Sequence, residues 1–139
     1  MATFDSIAAQ LRTLVTSAKR DAMQRVVLAG ERLVKLEAPV KQGTLRRSIV
    51  GRVEAGGDRG VVGTNVRYAR GVHDGTRPHI IRPRTKKAVN WPGARHPVRS
   101  VRHPGSKANP FIKRGGDRLR PEAERELQAW GNAQVGKVR

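Results

Sequence analysis

The chain is expected to fold as a small α+β protein: a long N-terminal helix, a small antiparallel sheet with an extended basic hairpin arm, and a C-terminal helix. Three observations lead there. Apolar residues recur at helical spacing over residues 4–36. Alternation takes over after residue 45 and is broken by a glycine-rich stretch. A proline-punctuated basic segment then runs to Pro110, which can open a second helix.

The first helix carries Phe4, Ile7, Ala8, Leu11, Leu14, Val15, Ala18, Ala22, Val26, Ala29, Leu33 and Leu36 on one stripe. Thr3 or Asp5 can cap its start. Ala38-Pro39 ends it, because the residue before a proline disfavours the helical region. At 1.5 Å per residue it would span about 50 Å, more than the roughly 37 Å diameter of a compact chain of this size. Either it kinks near Gly30, or a neighbouring subunit completes its stripe.

After a turn at Gln42-Gly43-Thr44, residues 45–54 read as a strand with Ile49, Gly51 and Val53 on one face. The run Ala55-Gly56-Gly57-Asp58-Arg59-Gly60 is a hairpin connection, and 61–66 the return strand. Residues 67–72 form one helical turn with Tyr68, Ala69 and Val72 inward, broken by Asp74-Gly75-Thr76. Short strands are expected at Ile80-Ile81, Val89–Trp91 and Val98–Val101, among five prolines. The closing helix runs from Phe111 to about Trp130, with a restart at Gly115-Gly116 or Pro121, and 131–139 is a frayed tail. The length bounds the whole to one domain, 1–139: helix 1–37, sheet and arm 45–109, helix 110–130.

The formal net charge is +18, with 29 Lys/Arg against 11 Asp/Glu. Such a chain attracts polyanions or acidic protein surfaces. From Arg77 to Arg120 there are 13 Lys/Arg against one acid, Asp117, a net of +12. The chain has no cysteine, which excludes disulfides and thiolate metal sites. No apolar run spans a membrane, and the N-terminus lacks signal-peptide order, so a soluble protein made in the cytoplasm is expected.

No constellation points to catalysis. The four histidines, His73, His79, His96 and His103, are widely spaced among arginines and suit no metal. The glycines at 56, 57 and 60 lack the Lys-Ser/Thr of a phosphate loop. Ser48, Ser100 and Ser106 have no nucleophile context. The basic segment is the strongest chemical signal, through Arg82, Arg84, Lys86, Lys87, Arg95, Arg99 and Arg102. Arginine forks can dock on carboxylates of an acidic partner, the preferred reading. They can also meet DNA phosphates without sequence preference, with Trp91 stacking on a base or else buried in an alternating strand.

The order of motifs resembles the small neck and tail-completion proteins of long-tailed bacteriophages. The residues that carry the resemblance are Pro39, Gly43-Thr44-Leu45, Ser48-Ile49, Tyr68-Ala69, Asp74-Gly75-Thr76 and Pro110-Phe111, with His79-Ile80-Ile81-Arg82-Pro83 and His103-Pro104-Gly105 in the arm. It covers about residues 5–125. Two departures, Val72-His73-Asp74 and Lys41-Gln42, add basic character where acids are usual in the family.

The resemblance implies a structural virion protein with no reaction, cofactor or metal. It would be assembled in the host cytoplasm into a ring at the head–tail interface, of six subunits or alternatively twelve. Its neighbours would be connector, terminator or tail-tube proteins, with genomic DNA in the lumen. The competing reading is a basic, non-sequence-specific nucleic-acid-binding module.

Overall fold

The computed structural model describes residues 4–136 except Lys86 and Pro92, and no side chain of residues 4–12 or of Leu14. The chain divides into two compact units: Met1–Val66 with Phe111–Arg139 (unit 1), and Arg67–Pro110 (unit 2). The elements are α+β, as expected.

Unit 1 contains α1 (Phe4–Glu37), α2 (Thr44–Ser48), β1 (Ile49–Val53), β2 (Gly60–Thr64) and α4 (Phe111–Gly136); the six-residue α3 (Ala69–Asp74) belongs to unit 2. Helix α1 is continuous over 34 residues, about 51 Å at the standard rise. It does not break at Gly30, and the cap expected at Thr3 or Asp5 lies outside what the structure describes. The expected stripe holds over its second half, where Ala22, Val26, Leu33 and also Val27 and Val34 are buried. Leu36 and Val15 are instead exposed.

Gly30 is a close-approach site rather than a weak point. A Cβ there would lie 2.9 Å from Leu119 Cδ2 of α4 and 3.3 Å from Val62 Cγ2 of β2. The reciprocal contact is Gly115, where a Cβ would lie 2.6 Å from Val34 Cγ2 and 2.8 Å from Val34 Cα. Each helix thus offers a glycine to a branched side chain of the other, one turn apart. This is why α4 does not restart at Gly115-Gly116. It also continues through Pro121 to Gly136, past the expected end at Trp130. Pro121 is exposed, so the Asp117 carbonyl four residues earlier, which it deprives of a partner, faces water.

Ion pairs flank this crossing. Glu37, the last residue of α1, takes Arg114 Nε at 2.8 Å on one oxygen and Arg118 Nη1 at 2.6 Å on the other. The two guanidiniums, Arg114 first, hold its carboxyl below the usual carboxylate range. Arg32 meets Glu122 at 3.2 Å and Arg25 meets Glu126 at 2.7 Å. Lys113 and Asp117 pair along α4 at 2.8 Å, and the lysine lowers the Asp117 pKa.

The strand begins later than expected. Residues 44–48 are helical because Gly43 turns the chain at φ 76°, Arg47 N–H donates to the Gly43 carbonyl at 2.9 Å, and Ser48 Oγ donates to the Leu45 carbonyl at 2.8 Å. Leu45 fills the core from this turn. β1 pairs antiparallel with β2, with Ile49 opposite Thr64 and Val53 opposite Gly60. Gly57, at φ 70°, makes the hairpin connection. The predicted faces hold: Ile49 is 0% exposed, whereas Val50 is 61% exposed. Gly51 and Gly60 face α1, and a Cβ on either would collide with Val27.

The core is aliphatic apart from Phe111, which is 0% exposed. Full burial of Phe111 and of Ile49 contributes roughly 1.5–3 kcal/mol each.

Glu31 ties the sheet to α1. Lys35 Nζ holds one of its oxygens at 2.5 Å and the Gly51 N–H donates to the other at 2.8 Å. Both partners favour the carboxylate, Lys35 more strongly, so the pKa lies below 4.5. A depressed folded pKa stabilises above the unfolded value, and that stabilisation is lost as pH falls below it. Glu31→Gln should therefore flatten the loss of stability between about pH 5 and about pH 3 relative to wild type. Denaturant midpoints across that range would show it. Parallel curves for the two proteins would deny Glu31 the role.

Candidate docking surface

Unit 2 is a two-stranded antiparallel ribbon closed at its base. Helix α3 buries Ala69 and ends at Gly75, φ 76°. The helix starts at Ala69, two residues later than expected, so that Tyr68 lies at its N-cap rather than inward and is 52% exposed. Asp74, at the helix end, bonds His73 at 2.7 Å and pairs with Arg70 at 3.5 Å. His73 is the main cause of its lowered pKa.

The base of the ribbon is a clasp. Thr76 and Ser106 exchange both backbone hydrogen bonds at 3.0 Å, and their hydroxyls meet at 2.9 Å. Gly75 and Gly105 both have positive φ and leave no room for a Cβ. At Gly75 it would lie 2.7 Å from the Ser106 carbonyl oxygen, and at Gly105 it would strike the Thr76 carbonyl oxygen.

Beyond the clasp come β3 (His79–Ile81) and β4 (Val101–His103), with His79 opposite His103. The register places Pro78 opposite Pro104, where neither residue has an N–H for the ladder. Two histidines supply bonds there instead. His79 Nδ1 donates to the Arg77 carbonyl at 2.9 Å, and the Gly105 N–H donates to His103 Nδ1 at 3.0 Å. The two rings lie with centroids 5.0 Å apart, tilted by 31°. Further out, among the described residues, Val89 and Val98 alone pair, in place of the strands expected around them. Trp91 is not buried in a strand. It opens a turn closed by the Ala94 N–H at 3.0 Å and is 46% exposed. All three residues of β3 are exposed.

Unit 2 carries eleven Lys/Arg and one acid, Asp74, a net of +10. Arg82, Arg84, Lys87, Arg95, Arg99 and Arg102 are exposed; Lys86 lies outside the described residues. None of the six has an ion-pair partner among the described residues, nor do Arg77 and Lys107 beside the clasp. The ten remaining acids belong to unit 1, where seven hold a cation among the described residues, Asp58 with Lys19 and Glu54 with Arg59 among them. The cationic residues were legible in the sequence. The clasp residue Ser106 was not, because its partner Thr76 lies thirty residues away; nor was the use of His79 and His103, whose bonds to Arg77 and Gly105 follow from the placing of Pro78 opposite Pro104. Among the described residues no three His, Cys, Asp or Glu side chains gather to hold a metal.

The remaining motif residues are spread over unit 1 and unit 2. Pro39 and Thr44 are exposed, Leu45 is buried, and Ser48 meets Thr64 Oγ1 at 2.6 Å. Pro110 is half-buried ahead of the buried Phe111.

A family model described as "Bacteriophage HK97-gp10, putative tail-component" matches residues 1–75. The chain belongs to the HK97-gp10-like family. It is therefore a bacteriophage structural protein of the tail-component kind, with other phage structural proteins as its partners. No curated protein and no solved structure matches the chain. The HK97-gp10-like match takes in α1, α2, both strands of unit 1 and α3, and stops at Gly75. The ribbon and α4 lie beyond it. No described helix is long and apolar enough to cross a membrane.

Proposed function

We propose that the chain forms a ring at the head–tail interface, in the neck or tail-completion position, and that the ribbon of unit 2 docks it on an acidic neighbouring ring. The segregation of charge carries this reading. A two-stranded ribbon has no core of its own and is marginal in water. This one exposes Ile80, Ile81 and Trp91 beside unpaired arginines, so a surface bearing carboxylates and apolar patches would complete it. Six subunits is the first expectation and twelve the second, with connector, terminator or tail-tube proteins as neighbours in the virion. The chain is read as one domain of two units, and as structural rather than enzymatic.

Making Arg82, Arg84, Arg99 and Arg102 all Ala should leave the fold unchanged, since none of their side chains has an ion-pair partner among the described residues, and should abolish incorporation into particles. Incorporation at the wild-type level, read by gel and particle imaging, would remove the docking role. A second reading has the exposed Trp91 in its favour: the ribbon meets DNA in the lumen. It predicts binding to duplex DNA that weakens steeply with salt.

A further inference from the structure

The two histidines at the base of the ribbon are not interchangeable. Thr76 and Ser106 exchange both backbone bonds, and bonded and unbonded pairs alternate along an antiparallel ladder. His79 and His103 therefore form an unbonded pair, the kind in which side chains come closest. Their ring centroids lie 5.0 Å apart.

Each ring holds one backbone group through Nδ1, and that group dictates where the ring proton sits. The Arg77 carbonyl can only accept, so His79 carries a proton on Nδ1 and keeps Nε2 open to a second. The Gly105 N–H can only donate, so His103 Nδ1 is bare and the ring is neutral. Charging His79 keeps its bond and makes it charge-assisted. Charging His103 puts a proton on Nδ1, where it meets the Gly105 N–H head-on, and the bond is lost.

No neighbour compensates. His103 faces His79 of β3, and Arg102 precedes it on β4. The cleft of about 390 Å³ beside the rings is lined by Pro78, His79, Ile80, Arg102, His103 and Pro104, with no carboxylate. Arg77 flanks His79 along the chain. Asp74, the one acid of unit 2, is engaged with His73 and Arg70 on α3.

The bond at stake holds Gly105, next to the clasp. Gly105 sits at φ 87°, pressed against the Thr76 carbonyl that accepts the Ser106 N–H. Pro78 and Pro104 supply no N–H to the adjoining ladder position. When the histidine bond goes, no backbone bond between the clasp and the Ile80–Arg102 pair keeps the register.

We infer that the histidine pair is an acid-operated latch: the base of the ribbon is closed while His103 is neutral and opens as His103 takes a proton. The closed base admits only the neutral ring, whereas the open chain accepts either form. The stabilisation is therefore present at neutral pH and lost as pH falls. His79, which takes a proton without losing its bond, then repels a proton on His103 only while the base is closed, which adds to the preference for opening. The latch belongs to the ribbon itself and holds whatever the ribbon docks on.

Amide hydrogen exchange of the full chain, expressed as protection factors between about pH 7.5 and about pH 5, tests it across the range in which histidines change charge. Protection of Thr76 and Ser106 is expected to fall roughly fivefold to tenfold, the loss of one net hydrogen bond, while α1 and α4 keep theirs. His103→Asn places an amide oxygen near the Nδ1 position and takes no proton, so its protection should stay level. His96→Asn, at an exposed histidine outside the base, should follow wild type. Level protection in wild type, or an equal fall in His103→Asn, would overturn the latch. Should His103→Asn fail to close at neutral pH, nitrogen NMR of the wild-type imidazoles decides. The expected result is a His103 proton on Nε2 and a charging midpoint that coincides with the loss of Ser106 protection. A neutral ring protonated on Nδ1, or midpoints that differ, would overturn the latch.

Discussion

Gly115→Ala is expected to destabilise the protein by about 3 kcal/mol, seen as a fall of roughly 10 °C in Tm. Alanine is the better helix former by about 1 kcal/mol, so propensity alone predicts the opposite sign. Packing decides. The new methyl would sit 2.6 Å from Val34 Cγ2, 2.8 Å from Val34 Cα and 3.0 Å from Val34 N. Two of those three atoms are backbone, so no rotamer relieves the collision and the helices must part. Parting them strains the pairs of Glu37 with Arg114 and Arg118 as well. Gly30→Ala is the control. Its nearest contact is the tip of Leu119 at 2.9 Å, which can swing, so the gain in propensity should nearly cancel the crowding. Thermal unfolding of the two variants side by side separates the cases. A Gly115→Ala protein as stable as wild type would mean that α1 and α4 do not approach this closely.

The second large effect is expected in unit 2. Gly105→Ala should open the clasp. The residue has φ 87°, where a side chain is strained in any surroundings. Its Cβ would strike the Thr76 carbonyl oxygen and lie 2.9 Å from the Arg77 carbonyl carbon and 3.0 Å from Pro78 N. All of these are backbone atoms, and the Thr76 carbonyl is the acceptor for the Ser106 N–H. Hydrogen exchange should show Thr76 and Ser106 losing amide protection in the variant, while the amides of α1 and α4 keep theirs. Gly93→Ala is the comparison: it shares a positive φ, 95°, but meets nothing within 4 Å. It should cost only the conformational term, about 1 kcal/mol. Unchanged protection at Ser106 in Gly105→Ala would rule out the tight crossing.

Local chemistry made much of this fold legible. The period of α1 and its stop at Ala38-Pro39 are dictated within a few residues, as is the turn at Gly57. Helix α2 was missed because Thr44–Ser48 is too short to show a period; its evidence is a pair of hydrogen bonds, from Arg47 and Ser48. The glycines at 30 and 115 read as breaks because their reason is a partner helix some eighty residues away. For the candidate surface, the arginines of the ribbon could be named from the sequence. That they are unpaired could not, since it depends on where the acids go, and ten of eleven lie in unit 1. Trp91 was ambiguous for a similar reason: its exposure is set by a turn at Trp91–Ala94 that interrupts the alternation around it.

The clasp has a consequence for how such proteins diversify. Because Thr76 and Ser106 are bonded to each other, the chain leaves and re-enters at one point, and whatever lies between is a closed loop. Lengthening a closed loop costs only about 0.6 kcal/mol for each doubling. Each added residue pair would extend the ribbon by about 3.3 Å without disturbing a single contact of unit 1. The family match ends at Gly75, one residue before the clasp. The length of the ribbon can therefore change separately from the frame, by insertion and deletion alone.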